Sequence, residues 1–125
     1  MDKTKKIFVV DDDEIYLTML ENMLKDKYDV ITTKSGKEAL GYFLKGVVPN
    51  LILLDILMPD LDGWETFNRL RAISFLQDVP IVFLTSIAES AEVQHAHEIG
   101  AADFITKPYN PEDLLNRIEK LLGNG

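Results

Sequence analysis

Five short apolar runs, each followed within a few residues by a segment of helical periodicity, constrain this chain more than any other feature. "KIFVV" at 6–10 is rich in β-branched residues, and the segment 14–25 behind it places Leu17, Leu20 and Leu24 on one helical stripe. The alternation recurs as "YDVITT" then "GKEALGYFLK", "LILLD" then "GWETFNRLRA", "VPIVFLT" then "ESAEVQHAHEI", and "ADFIT" then "NPEDLLNRIEKLL". Short loops carrying Pro49, Pro59, Gly63, Pro80, Gly100 and Pro108 join the units. "LILL" and "IVFL" are apolar at every position, as strands are when helices cover both faces of a parallel sheet. An α/β domain with a doubly wound, five-stranded parallel sheet is therefore expected. Periodicity leaves the strand order open, but right-handed crossovers put every strand-to-helix loop on one edge, where open parallel sheets bind ligands.

At 125 residues and 46% hydrophobic, the chain suits one compact domain. Its formal net charge of -8 argues against a nucleic-acid surface, since backbone binding requires clustered Lys and Arg. "KTKK" at 3–6 reads as a solvated arm and "GNG" at 123–125 as a frayed tail. The sequence has no cysteine, which excludes disulfide and thiolate chemistry and fits a reducing compartment. It has neither an apolar run of about 18 residues nor a signal-peptide core, so a cytoplasmic protein without membrane attachment is expected.

The polar residues that interrupt the pattern gather at the carboxyl ends of the expected strands: Asp11 and Asp12 after the first, Asp55 at the third, Thr85 and Ser86 at the fourth, Lys107 after the fifth. Asp55 ends a strand that should be central, and a half-buried carboxylate beside two others must be protonated, paired or bound to metal. A small hard cation such as Mg2+ relieves the repulsion with two carboxylates, one carbonyl and an incoming phosphoryl oxygen. Asp13 and Glu14 instead suit the start of a helix, where anions cap free N–H groups. Lys107 offers a positive charge for a phosphoryl oxygen or for Asp55, and Thr85 a hydroxyl donor. An aspartate so placed can act as nucleophile and hold a phosphoryl group as an acyl phosphate.

On "VVDDDE", "LILLDILMPDLDG", "IVFLTS" and "GAADFITKP", in this order, the chain resembles the receiver domain of two-component response regulators over essentially residues 5–122. The resemblance implies a flavodoxin-like strand order 2-1-3-4-5, a receiver at 5–122 and flexible tails at 1–4 and 123–125. It implies Asp55 as phosphoacceptor, Asp12 as a direct Mg2+ ligand, Asp11 acting largely through water, and the Leu57 carbonyl as a further ligand. Lys107 matches the family's lysine, Thr85 its switch hydroxyl, Ser86 the small residue that keeps the phosphate approach open, and Phe104 its aromatic switch. Met58 and Pro59 would shape the site, Asp62 and Gly63 the turn behind it, and the Lys107–Pro108 bond would be cis. Phosphate would arrive from a histidine kinase or histidine phosphotransfer protein. The signal would leave through the face around 88–99 and 104–122, to a protein target or a phosphorylation-dependent homodimer. Leu57 and Ile87 would flank the attacking water without aligning it, giving a long-lived phosphorylated state.

Competing readings fare worse. A phosphohydrolase with an aspartyl nucleophile would want an acid two residues after Asp55, where Leu57 stands. A flavin phosphate would be repelled by "DDDE". His95 and His97, two residues apart, fall on different helical faces and read as surface residues. Trp64 and Tyr109 suit recognition or packing equally. The chain is thus expected to be a self-modifying signalling domain rather than a metabolic enzyme, either a whole single-domain regulator or the receiver portion of a longer one.

Overall fold

The computed structural model describes residues 5–86 and 89–123. The expected tail residues 1–4, 124 and 125, together with Ile87 and residue 88, lie outside the described residues.

The chain alternates β1 (Lys6–Val10), α1 (Glu14–Leu24), β2 (Asp29–Thr33), α2 (Gly36–Leu44), β3 (Leu51–Asp55), α3 (Gly63–Arg71), β4 (Ile81–Thr85), α4 (Ser90–Glu98), β5 (Asp103–Thr106) and α5 (Pro111–Leu122). The strands form one parallel sheet in the order β2-β1-β3-β4-β5. The chain reverses direction of travel across the sheet between β1 and β3, and this switch point opens a crevice at the carboxyl edge.

Alternation along β1 explains how one sheet feeds two cores. Ile7 and Val9 pack with Leu17, Leu20, Leu24, Leu114 and Ile118 on the α1/α5 side. Phe8 and Val10 pack with Ala39, Phe43, Phe67, Leu70 and Phe83 on the other side. β3 and β4 are buried throughout, as their unbroken apolar runs require, whereas edge strand β2 is mostly half-buried.

Local chemistry sets the helix starts. Asp13 accepts the Ile15 N–H, Ser35 that of Glu38, Asp62 that of Glu65, and Asn110 that of Asp113 ahead of Pro111. Gly123, read from sequence as the first tail residue, closes α5 in the left-handed conformation at φ 69°. The basic start is likewise not all arm: Lys6 opens β1, and Lys5 Nζ donates to the Leu122 carbonyl at 2.8 Å. A 3-10 turn at Ser74–Leu76, unforeseen from sequence, is held by Arg71, whose Nη1 donates to the carbonyls of Leu76 and Val79 at 2.8 Å each.

Candidate functional site: an acidic cluster with one lysine

The site is built from strand ends. Asp11 follows β1 and is fully buried; its N–H donates to the Thr33 carbonyl. Its Oδ1 accepts the Asp13 N–H at 2.9 Å, so the turn into α1 fixes the carboxylate's orientation. Asp12 between them is exposed. Asp55 is the last residue of β3 and only 3% exposed. Ligand oxygens of Asp11, Asp12 and Asp55 lie within 4.8 Å of one another. The sheet register thus brings Asp55 to the adjacent pair Asp11 and Asp12, from which the sequence keeps it far apart.

Lys107 follows β5 on a cis Lys107–Pro108 bond, and its N–H donates to the Thr85 carbonyl at 2.8 Å, tying the ends of β4 and β5. Its side chain is 9% exposed. The ammonium pairs with Asp11 Oδ2 at 2.8 Å and stands 3.7 Å from Asp55 Oδ1. Sequence reasoning offered Asp55 as the lysine's carboxylate; Asp11 is the nearer one, because its own backbone turn aims it across the crevice.

Electrostatics follow from this burial. Loss of water, and then the neighbouring Asp11 charge, push the Asp55 carboxyl up to about 7, against the opposing pull of Lys107. Burial alone would pull the Lys107 ammonium down, but its hydrogen bond and charge pairing with Asp11, reinforced by Asp55, leave it raised and charged. Tyr109, buried with its hydroxyl lacking a hydrogen-bond partner among the described residues, is held well above the phenol range, first by burial and then by Asp11 and Asp55.

The remaining expected residues surround this centre unequally. Thr85 is fully buried at the end of β4, and Ser86 beside it is exposed. Leu57 is 49% exposed. It lines a cleft of about 590 Å³ with Ile56, Met58, Pro59, Asp62, Trp64 and Glu92. Gly63 sits hard against the strand end: a Cβ there would lie 2.3 Å from the Asp55 carbonyl oxygen, and its N–H donates to the Ile56 carbonyl. Phe104 is half-buried beside α4, lining a pocket of about 160 Å³ with Val93, Ala96 and His97. His95 is exposed, yet it packs edge-on to Trp64 at 4.6 Å, and Trp64 packs on Phe83.

Sequence reasoning missed Tyr16. Its ring centroid is 4.4 Å from Lys107 Nζ, and it meets Tyr109 edge-on at 5.2 Å. Nothing in the local pattern of α1 separates this residue from an ordinary half-buried aromatic; the signal is tertiary.

Residues 7–119 match the family model of the response regulator receiver domain. The chain is 41% identical over 119 residues to "Probable transcriptional regulator ycf27" of Porphyridium aerugineum, covering 94% of this chain and 48% of that protein. It is 40% identical over 119 residues to the alkaline phosphatase synthesis transcriptional regulatory protein PhoP of Bacillus subtilis, again covering 94% and 48%. The chain thus spans about half the length of these curated relatives. Among solved structures, chemotaxis protein CheY4 of Vibrio cholerae superposes with a TM-score of 0.88 at 32% identity, covering 94% of this chain and 98% of that one. A two-component response regulator from Clostridium difficile gives a TM-score of 0.88 at 28% identity, covering 96% and 97%.

Proposed function

The chain belongs to the response regulator receiver domain family, and from that premise we propose that it accepts a phosphoryl group on Asp55 from a histidine kinase or histidine phosphotransfer protein. The observation that carries this reading is the placement of Asp55 Oδ1, 3.7 Å from the Lys107 ammonium and clustered with Asp11 and Asp12. A carboxylate so crowded is a poor place to leave a bare charge and a good place to form an anhydride.

The donor set fits Mg2+ or another small divalent cation. Three carboxylates converge, all donors are hard oxygens, and burial beside Asp11 already disfavours charge on Asp55. Asp11, Asp12, Asp55 and the Leu57 carbonyl would hold the ion, with Asp11 contributing largely through water. When bound, it would supply positive charge to phosphoryl oxygens.

An Asp55 carboxylate oxygen attacks phosphorus, the P–N bond of the donor phosphohistidine breaks, and the departing imidazole keeps the bonding pair, which a proton then satisfies. The product is an aspartyl phosphate. Lys107 offsets the charge on one phosphoryl oxygen, the Thr85 hydroxyl donates to another, and exposed Ser86 leaves the approach open. Movement of Thr85 toward the phosphoryl group and a rotamer change at Phe104 would then reshape the α4/β5/α5 face for a partner protein or a second copy. The domain modifies itself rather than turning over a metabolite; Leu57 offers no acid for a phosphohydrolase.

The longer curated relatives favour a second reading of the output. Named as transcriptional regulators, they suggest that this chain serves as the receiver portion of such a protein, with nucleic-acid contact made outside this acidic domain. No helix among the described residues is long and apolar enough to cross a membrane, and the proposed role belongs to the cytoplasm.

Incubation with acetyl phosphate and Mg2+, followed by intact mass, tests the reading. The wild type should gain one phosphoryl mass and Asp55→Asn none; an undiminished adduct on Asp55→Asn would place the nucleophile elsewhere.

A further inference from the structure

Lys107 carries a compact, strongly hydrated charge on a flexible four-carbon stem. Here the side chain is nearly dry, and among the described residues only one face of its ammonium makes a short contact, with Asp11. Asp55 stands further off at 3.7 Å. A third face is turned to the ring of Tyr16, whose centroid lies 4.4 Å from Nζ.

We propose that Tyr16 is a positioning residue for Lys107, an aromatic floor that holds the ammonium over the phosphoacceptor; the inference rests on the reading of Asp55 given above. Three alternatives at this position would each do worse. A carboxylate would compete with the phosphoryl group for the ammonium. An aliphatic side chain would leave that face of the ammonium without compensation for lost water. Open solvent would let the stem wander. The ring face attracts a cation without fixing one direction, so Nζ can slide from Asp11 toward a phosphoryl oxygen and stay in contact with the ring throughout.

Tyr109 makes this floor rigid. It follows Lys107 by two residues, across the cis proline, and its buried ring meets Tyr16 at 5.2 Å and 69°. Tyr16 also packs against the α1/α5 core, so a purely structural role has to be separated from positioning.

Wild type, Tyr16→Phe and Tyr16→Leu make that separation, with Tyr16→Met as a second aliphatic variant should the leucine not fold. The first readout needs no phosphodonor: a ring above the stem shifts the Lys107 Hε protons upfield in NMR spectra. Tyr16→Phe should keep that shift and the wild-type rate of phosphorylation by acetyl phosphate. The aliphatic variant should lose the shift and slow phosphorylation about fivefold, while thermal midpoint and Mg2+ titration stay near wild type. An aliphatic variant at the wild-type rate, or a phenylalanine variant as slow as it, overturns the proposal. Should wild type itself take up no phosphoryl group, the proposed function fails, whereas the Hε shift still decides whether the ring holds the lysine.

Discussion

Lys107 pairs with Asp11 at 2.8 Å, closer than it comes to Asp55. The lysine therefore rests on Asp11 rather than on the proposed phosphoacceptor Asp55, and it needs only a short displacement to reach Asp55. Removing it leaves Asp11 and Asp55 facing each other buried. Lys107→Ala should slow phosphorylation by acetyl phosphate about a hundredfold. Intact-mass time courses will show this, and a rate within about twofold of wild type would contradict it.

Asp55 makes stability depend on pH in an unusual direction. Its folded carboxyl is raised to about 7, first by burial and then by Asp11, whereas an unfolded aspartate titrates near ~3.9. Between those values the folded state binds more protons, so stability is greatest below the lower one and declines as pH rises through the upper. Without metal, the wild-type melting temperature should fall between about pH 5 and 8, and Asp55→Asn should flatten the profile, melting roughly 5–10 °C higher at pH 8. Parallel profiles would remove Asp55 as the cause.

Metal binding should be weak, with Kd about 10^-4 to 10^-3 M, as expected where few ligands meet at an open site. Trp64 lines the cleft beside Ile56 and Leu57, so its fluorescence should report titration with Mg2+. Asp12→Ala combined with Asp55→Ala should abolish the response; wild-type affinity there would move the site.

Gly63 has no room for a methyl group, since its Cβ would lie 2.3 Å from the Asp55 carbonyl oxygen and 2.6 Å from the Ile56 Cα. Those neighbours are backbone and cannot rotate away. Gly63→Ala should cost about 2–3 kcal/mol in chemical denaturation and shift the Asp55 and Ile56 amide resonances.

Arg71 acts far from the crevice but closes the connection between α3 and β4. Two carbonyls share its Nη1, and the guanidinium lies 5.0 Å from the Phe67 ring centroid. Arg71→Ala should cost about 2–3 kcal/mol and speed hydrogen exchange around Ser74–Leu76 before it affects phosphorylation.

The parts of this architecture written locally were readable in advance. The apolar runs "LILL" and "IVFL" announce central strands, and Asp13 announces the start of α1. Asp11, Asp12, Asp55 and Lys107 were legible as a group because the parallel topology sends every strand's carboxyl end to the same edge. Strand order came from family resemblance, since hydrophobic period says nothing about which strand neighbours which. The preference of Lys107 for Asp11 and the ring of Tyr16 beneath it were hidden for a different reason. Both depend on a few ångströms of side-chain reach between elements about a hundred residues apart, and no window along the sequence encodes such a distance. The 3-10 turn at Ser74–Leu76 escaped notice because its three residues are too short for a periodic signature.

The pleat of β5 has a wider consequence. Ile105 points into the compartment shared by α1 and α5, while its neighbour Phe104 leans into the one shared with α4. The sheet insulates these compartments from each other, and this short strand is a terminal wired to both. The surroundings of Tyr16 and Tyr109 and the surface beside Phe104 therefore lie on opposite sides of one strand. The strand's alternation keeps them on a common supply, because neither side can shift β5 without the other registering it.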